Sequence, residues 1–224
     1  MSRLRMRVSA ILLAVVIGIS IHVAGSGPAS AVPAASTDEA LAKASSKETA
    51  VVAGGCFWGI QAVFQHVKGV ISATSGYTGG TVKNPEYEQV STGETGHAES
   101  VKIVYDPSQI TYGQLLRVFF SVAHNPTELN RQGPDTGTQY RSAIFYNSDE
   151  QRRIAEAYIA QLSAAKVFPR QIVTQVAPLK AFYEAEAYHQ NYAALHPDNP
   201  YIMYNDAPKV ANLRQQFPNL YNGK

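Results

Sequence analysis

Apolar and polar positions recur along this chain with periods that mark out most of its elements before any chemistry is considered. Residues 49–53 are a short apolar run, a strand pattern, and Gly54-Gly55 breaks it. Apolar side chains return at Phe57, Ile60, Val63, Phe64 and Val67, the spacing of one helical face, and Gly69 closes that segment. A second strand is expected over 70–77, leading into the loop Thr78-Gly79-Gly80 and a polar stretch with Asn84-Pro85. A third strand is expected over 97–105, with Glu99, Val101, Ile103 and Tyr105 on one face and Ala98, Ser100, Lys102 and Val104 on the other; Asp106-Pro107 stops it. Residues 110–123 read as a second helix, 124–139 as a long loop and 142–146 as a fourth strand. The order β-α-β-β-α-β predicts an α+β fold, a two-layer sandwich with a ferredoxin-like split βαβ core, both helices on one face of the sheet. Further on, the pattern predicts a helix over 148–165, a strand near 172–176, a helix near 183–195 and an irregular tail.

The start of the chain changes the picture. Three arginines within the first seven residues, an apolar run from Val8 to about Ala24 and the small-x-small sequence Ala29-Ser30-Ala31 predict an export signal over 1–31. The protein is then expected to be exported, periplasmic or extracellular; a leader left uncleaved as a membrane anchor is the alternative. Residues 32–47 are read as a flexible spacer and 48–224 as one catalytic domain. Hydrophobic residues at 45% and charged residues at 16% suit a chain that buries a core. Without the leader arginines the chain carries sixteen basic and seventeen acidic residues, a balance that favours no nucleic-acid partner. Nothing points to a large interface, and a monomer is expected. The single cysteine, Cys56, excludes an intrachain disulfide and a four-thiolate metal site.

Cys56 follows a strand and a Gly-Gly turn and opens a helix. Free backbone N–H groups and the positive end of the helix dipole there predict a stabilised thiolate, hence a nucleophile. A buried, inert cysteine is the competing reading. Phe57 belongs to the apolar face of the helix; Trp58, the only tryptophan, lies off it and can line a pocket for an apolar or sulfur-bearing group.

The stretch Gly55-Cys56-Phe57-Trp58-Gly59 resembles the signature of the A-type peptide methionine sulfoxide reductases. So do Gly76-Tyr77-Thr78-Gly79-Gly80, Asn84-Pro85 with Tyr87, Gly96-His97-Ala98-Glu99, Tyr105-Asp106-Pro107, and Gly133-Pro134-Asp135 with Gly137 through Ala143, in order and spacing. The resemblance implies reduction of methionine-S-sulfoxide, in proteins or free, with Cys56 as the nucleophile that takes up the oxygen as a sulfenic acid. It implies Glu99 as the acid that protonates that oxygen, Tyr87 and Tyr140 as the hydroxyls that hold it, and Asp135, Phe57 and Trp58 as substrate-binding residues, with the aromatics around the methyl group. A proton donor at neutral pH requires a buried carboxyl, and Glu99 shares a strand face with Val101 and Ile103. His97 beside this motif is read as structural, and His189 and His196 lack further ligands for a metal site. No cofactor or metal is implied.

The sequence departs from the family pattern in two places. The cysteines that often recycle the sulfenic acid are absent, so an external thiol reductant, thioredoxin-like, glutaredoxin-like or small, is expected to take their place. Asn125 stands where the family often has aspartate. Two other classes compete: a cysteine hydrolase, which needs a histidine base that no local motif specifies, and a peptide-binding module without turnover.

Overall fold

A computed structural model describes residues 32–223; the export signal expected over 1–31 lies outside them. The chain runs through β1 (Glu48–Ala53), α1 (Phe57–Gln65), β2 (Val70–Thr78), α2 (Tyr87–Ser91), β3 (Ala98–Tyr105) and α3 (Tyr112–Val118), which continues as a π-turn over Phe119–Ala123. Next come the two-residue strands β4 (Arg131–Gln132) and β5 (Asp135–Thr136), a 3-10 turn (Thr138–Tyr140), β6 (Ala143–Tyr146), α4 (Asp149–Ala164), β7 (Gln175–Pro178) and β8 (Phe182–Glu184). A 3-10 turn (Ala187–His189), α5 (Tyr192–Leu195), a second π-turn (Ile202–Asp206) and α6 (Ala207–Gln216) complete the order.

Six strands form one sheet in the order β7-β6-β1-β3-β2-β8, antiparallel except where β7 lies parallel to β6. The inner four reproduce the split βαβ arrangement: Val52 of β1 stands opposite Val101 of β3 on one side and Ile144 of β6 on the other. Alternation along β1 serves two cores. Ala50 and Val52 join Ile60, Phe64, Leu116 and Ile154 from the helices, while Val51 and Ala53 pack with Ala98, Ala143 and Phe145 beneath Leu179 and Phe182. Burial on both faces explains why this strand reads as an unbroken apolar run. Each of the large apolar side chains so buried contributes roughly 1.5–3 kcal/mol.

Four expectations are corrected. The helix near 183–195 is instead the edge strand β8, whose Phe182, Tyr183 and Glu184 pair with Thr78, Tyr77 and Gly76, followed by two short turns. Aromatic residues favour the pleated edge, and the Gln190 side chain prolongs the pairing by accepting from Ser75 N–H and donating to Ser75 C=O, each at 3.0 Å. The tail is not irregular. Pro208 lies in the first turn of α6, and the side chains of Leu213 and Phe217 enter the core. The long loop holds the β4–β5 hairpin.

The expected spacer has neither helix nor strand, yet it is fastened to the domain. Val32 is buried and its carbonyl accepts from Arg117, the Pro33 carbonyl accepts from the Tyr158 hydroxyl, and Asp38 accepts from Thr111 and Gly113 at the start of α3. The Ala- and Ser-rich composition of this segment hides these contacts because they run through backbone carbonyls and one short acidic side chain. Among the described residues no helix is long and apolar enough to cross a membrane.

Candidate active site

The site forms where β1 gives way to α1. Gly55 has φ +97°, a turn glycine is suited to make, and it delivers Cys56 to the N-cap position of α1 with no side-chain cap bond of its own. The neighbouring strand β3 brings Glu99 to the same helix start. Its Oε2 accepts the Phe57 N–H at 3.0 Å, satisfying one of the free donors of the first turn. Glu99 is completely buried, and that burial, reinforced by charge on Asp135 and Asp206 and opposed by the Phe57 hydrogen bond, pushes its pKa up to about 8. At neutral pH the carboxyl therefore keeps its proton.

Cys56 departs from the expected thiolate. Burial, then the charges of Glu99 and Asp206, hold the thiol well above its ordinary value, while the Trp58 N–H and Lys209 pull the other way. A helix start stabilises an anion only where burial and nearby carboxylates do not outweigh it. Protonation of Glu99 removes the larger of the two opposing charges, so the same proton that arms the acid also eases ionisation of the thiol.

Tyr87 is the first residue of α2, a one-turn helix set by a capping box between Glu86 and Gln89. Its N–H donates to Glu186 at 2.8 Å, and Glu186 also accepts from the Tyr77 hydroxyl at 2.8 Å. Tyr140 ends the 3-10 turn that follows β5. Burial and then the Glu99 charge push Tyr87 up to about 12 and Tyr140 higher still, so both hydroxyls stay protonated donors at neutral pH. Asp135 on β5 accepts from the Tyr201 hydroxyl.

Trp58 is half-buried, stacked on Tyr192 with ring centres 3.8 Å apart and edge-on to Tyr201 at 6.0 Å. Its indole N–H donates to His189 Nδ1 at 3.2 Å. His189 touches the rings of Phe57, Tyr87 and Tyr188 as well. The Phe57 ring, expected around the substrate's methyl group, is sealed against Tyr77 and His189; what it presents to the site is its backbone N–H.

The structure thus brings Cys56, Glu99, Tyr87, Tyr140, Asp135 and Trp58 around one helix start. Sequence reasoning missed Tyr201, Glu186, His189, Asp206 and Lys209. The last two and Tyr201 lie in the segment read as patternless, and picking one tyrosine among 13 needs the fold. His97 accepts from Gly80 N–H through Nδ1 and bonds the Val82 carbonyl through Nε2, fixing the loop after β2. Asn125 Oδ1 accepts from the N–H and hydroxyl of Thr127, a turn that an aspartate oxygen makes equally well. Among the described residues no group of three or more His, Cys, Asp or Glu could hold a metal ion.

A thiol, a buried carboxyl, two phenols and a cluster of aromatic rings gathered at one helix start define a thiol-dependent enzyme site that offers both hydrogen-bond donors and apolar surface. Comparison with known proteins gives the particular class. The family profile for peptide methionine sulfoxide reductase matches residues 48–221. The peptide methionine sulfoxide reductase MsrA 2 of Mesorhizobium japonicum is 64% identical over 177 residues, 79% of this chain and 91% of the relative. That of Synechocystis is 52% identical over 170 residues, 76% of this chain and 79% of the relative. Among solved structures, reduced Mxr1 from Saccharomyces cerevisiae superposes with a TM-score of 0.61 at 31% identity, covering 71% of this chain and 94% of its own. Methionine sulfoxide reductase A of Corynebacterium diphtheriae gives 0.59 at 36% identity, covering 76% and 86%. The chain belongs to the peptide methionine sulfoxide reductase family and is an oxidoreductase that returns methionine sulfoxide to methionine.

Proposed function

We propose that Cys56 attacks the sulfur of a methionine-S-sulfoxide side chain while Glu99 gives its proton to the sulfoxide oxygen. The oxygen passes to Cys56 as a sulfenic acid and methionine departs. The substrate sulfur gains two electrons and the Cys56 sulfur loses two, so no bound cofactor is needed. The thiol proton replaces the one Glu99 gave, and the carboxyl ends as it began. Tyr87 and Tyr140 hold the oxygen; in support, neither hydroxyl is engaged by another side chain among the described residues. Trp58 faces the methyl group, and donors on one side with an aromatic wall on the other select one epimer. The single observation that carries this reading is a wholly buried carboxyl, protonated at neutral pH, hydrogen-bonded to the residue next to the thiol.

With one cysteine in the chain, the sulfenic acid is resolved from outside. A first external thiol forms a mixed disulfide and water, and a second releases Cys56 by exchange. A thioredoxin-like protein, a glutaredoxin-like protein or a small thiol fits this chemistry. The arginine-rich apolar leader supports action outside the cytoplasm, on exported proteins that carry oxidised methionine. A hydrolase is disfavoured because the histidine nitrogens that could take a proton are occupied: His124 bonds Ser142 and the Phe119 carbonyl, and His189 Nδ1 accepts the Trp58 indole N–H, which leaves its unpartnered Nε2 as the nitrogen carrying hydrogen.

The test is turnover of a peptide carrying either sulfoxide epimer, with a monothiol, a dithiol or a thioredoxin system as electron donor. Consumption of the S epimer alone, with at least one donor sustaining many turnovers, is expected. Equal consumption of both epimers, or one stoichiometric round that no external donor extends, contradicts the proposal.

A further inference from the structure

Beneath the nucleophile lies a buried ion pair that the reaction as drawn does not use. Asp206 closes the π-turn that runs straight into α6; its backbone is helical and the Ala207 N–H already bonds the Ile202 carbonyl, so its side chain is not used as a cap. Its carboxylate turns instead toward α1. Asp206 is fully buried, its Oδ1 accepts from Lys209 Nζ at 3.0 Å, and its Oδ2 has no partner among the described residues. Lys209 is itself largely buried, with 17% of its side chain exposed.

The place these groups occupy is Gly59. A Cβ built on Gly59 would stand 2.1 Å from Asp206 Oδ1 and 2.7 Å from Lys209 Nζ. Cys56 is the N-cap of α1 and Gly59 its third residue, so the two share a face, and a Cβ there points back toward the N-terminus. The first turn of α1 contains no acidic residue. Asp206 therefore sets a carboxylate from another element against the first turn of α1, on the face that carries Cys56, without the return bond to the N-cap N–H that a capping box makes. A buried pair of this kind adds little net stability over apolar packing.

We propose that Asp206 and Lys209 form a charge pair that sets how readily the Cys56 sulfur gives up its proton, the carboxylate holding the thiol and the ammonium favouring the thiolate. The proposal rests on Cys56 being the nucleophile and makes both residues positioning groups. The other titratable carboxyl acting on the sulfur is Glu99 from β3; Asp135 from β5 lies by Glu99 and the phenols of Tyr87, Tyr140 and Tyr201, the three phenols themselves being near the sulfur. None of these is a cation, so Lys209 is the group of that sign acting on Cys56, and its charge lowers the thiol's pKa while that of Asp206 raises it.

The pair predicts opposite effects from its two members, which loss of packing does not. Asp206→Asn leaves the ammonium uncompensated, and alkylation of Cys56 by iodoacetamide at about pH 7 rises about tenfold, the equivalent of one pH unit in the thiol's ionisation. Lys209→Met slows alkylation by a similar factor. Lys209→Arg keeps the wild-type rate, and the double variant Asp206→Asn with Lys209→Met falls between the single ones. The same preparations are mixed with one equivalent of a methionine-S-sulfoxide peptide. Methionine formation by the wild type together with alkylation rates that do not change, or change in the same direction in both single variants, overturns the pair and leaves the nucleophile standing. A wild type that forms no methionine overturns the reading of Cys56 itself.

Discussion

Glu99 concentrates the chemistry at the scale of single residues, because its proton is held by burial rather than by a partner. Folded, it binds that proton up to about pH 8; unfolded, to about 4.5. The native state therefore loses stability as pH rises through this window and is level above it. Glu99→Gln removes the buried charge: the difference in melting temperature between variant and wild type should grow in the variant's favour from pH 5 to pH 8. The same substitution removes the acid, so the rate of methionine formation in a single turnover should fall by about 10²- to 10⁴-fold. For the wild type that rate should stop rising at about pH 8, where the loss of the Glu99 proton begins to offset the gain in thiolate. A profile still climbing well beyond that point shows that Glu99 is not the donor. Burial of this carboxyl was legible in the sequence from the strand face it shares with Val101 and Ile103. The state of Cys56 was not, since the helix start argues for a thiolate and only the fold reveals how deeply the sulfur lies and which carboxyls surround it.

Between elements, the junction of α1 and α6 decides whether the site is built correctly. Gly59→Ala forces the Asp206 carboxylate away from α1. Overpacking there costs about 1–3 kcal/mol, which exceeds the roughly 1 kcal/mol alanine gains over glycine within a helix, so a lower melting temperature is expected in thermal denaturation. Leu213→Ala, at a fully buried position on α6, should cost about 2–5 kcal/mol and is read out by urea denaturation; a loss below about 1 kcal/mol shows that α6 does not dock as described. The strands and helices of the inner sheet were legible because each shows either a period or an apolar run and most end on a clean stop, as at Asp106-Pro107. β8 and α6 were not. A three-residue edge strand has too few positions to show alternation, and the spacing of Val210, Leu213 and Phe217 is buried in a stretch rich in tyrosine, proline and asparagine. A physical reading could still have noticed Pro208 just inside a helix start.

Across the whole molecule, segments far apart in sequence close around the core and the site. Residues 32–47 brace α3 and α4, and a bridge from Val67 to Tyr221 ties the C-terminal end to the segment after α1. A chain beginning at Glu48 keeps the sheet and the site but loses the burial of Val32 and the Asp38 contacts to α3. It should be less stable by about 2–4 kcal/mol in urea denaturation while forming methionine at an unchanged rate in a single turnover. Such long-range closure is not written in local periodicity; it depends on single backbone and side-chain groups whose partners only the fold supplies. The whole reaction turns on one sulfur atom taking one oxygen. Mass spectrometry of the intact protein after one equivalent of a methionine-S-sulfoxide peptide, with no thiol present, measures this directly. The protein should gain one oxygen, located at Cys56, as the peptide loses one, and Cys56→Ser should gain none. A peptide reduced while Cys56 stays unmodified, or an oxygen found on another residue, contradicts it.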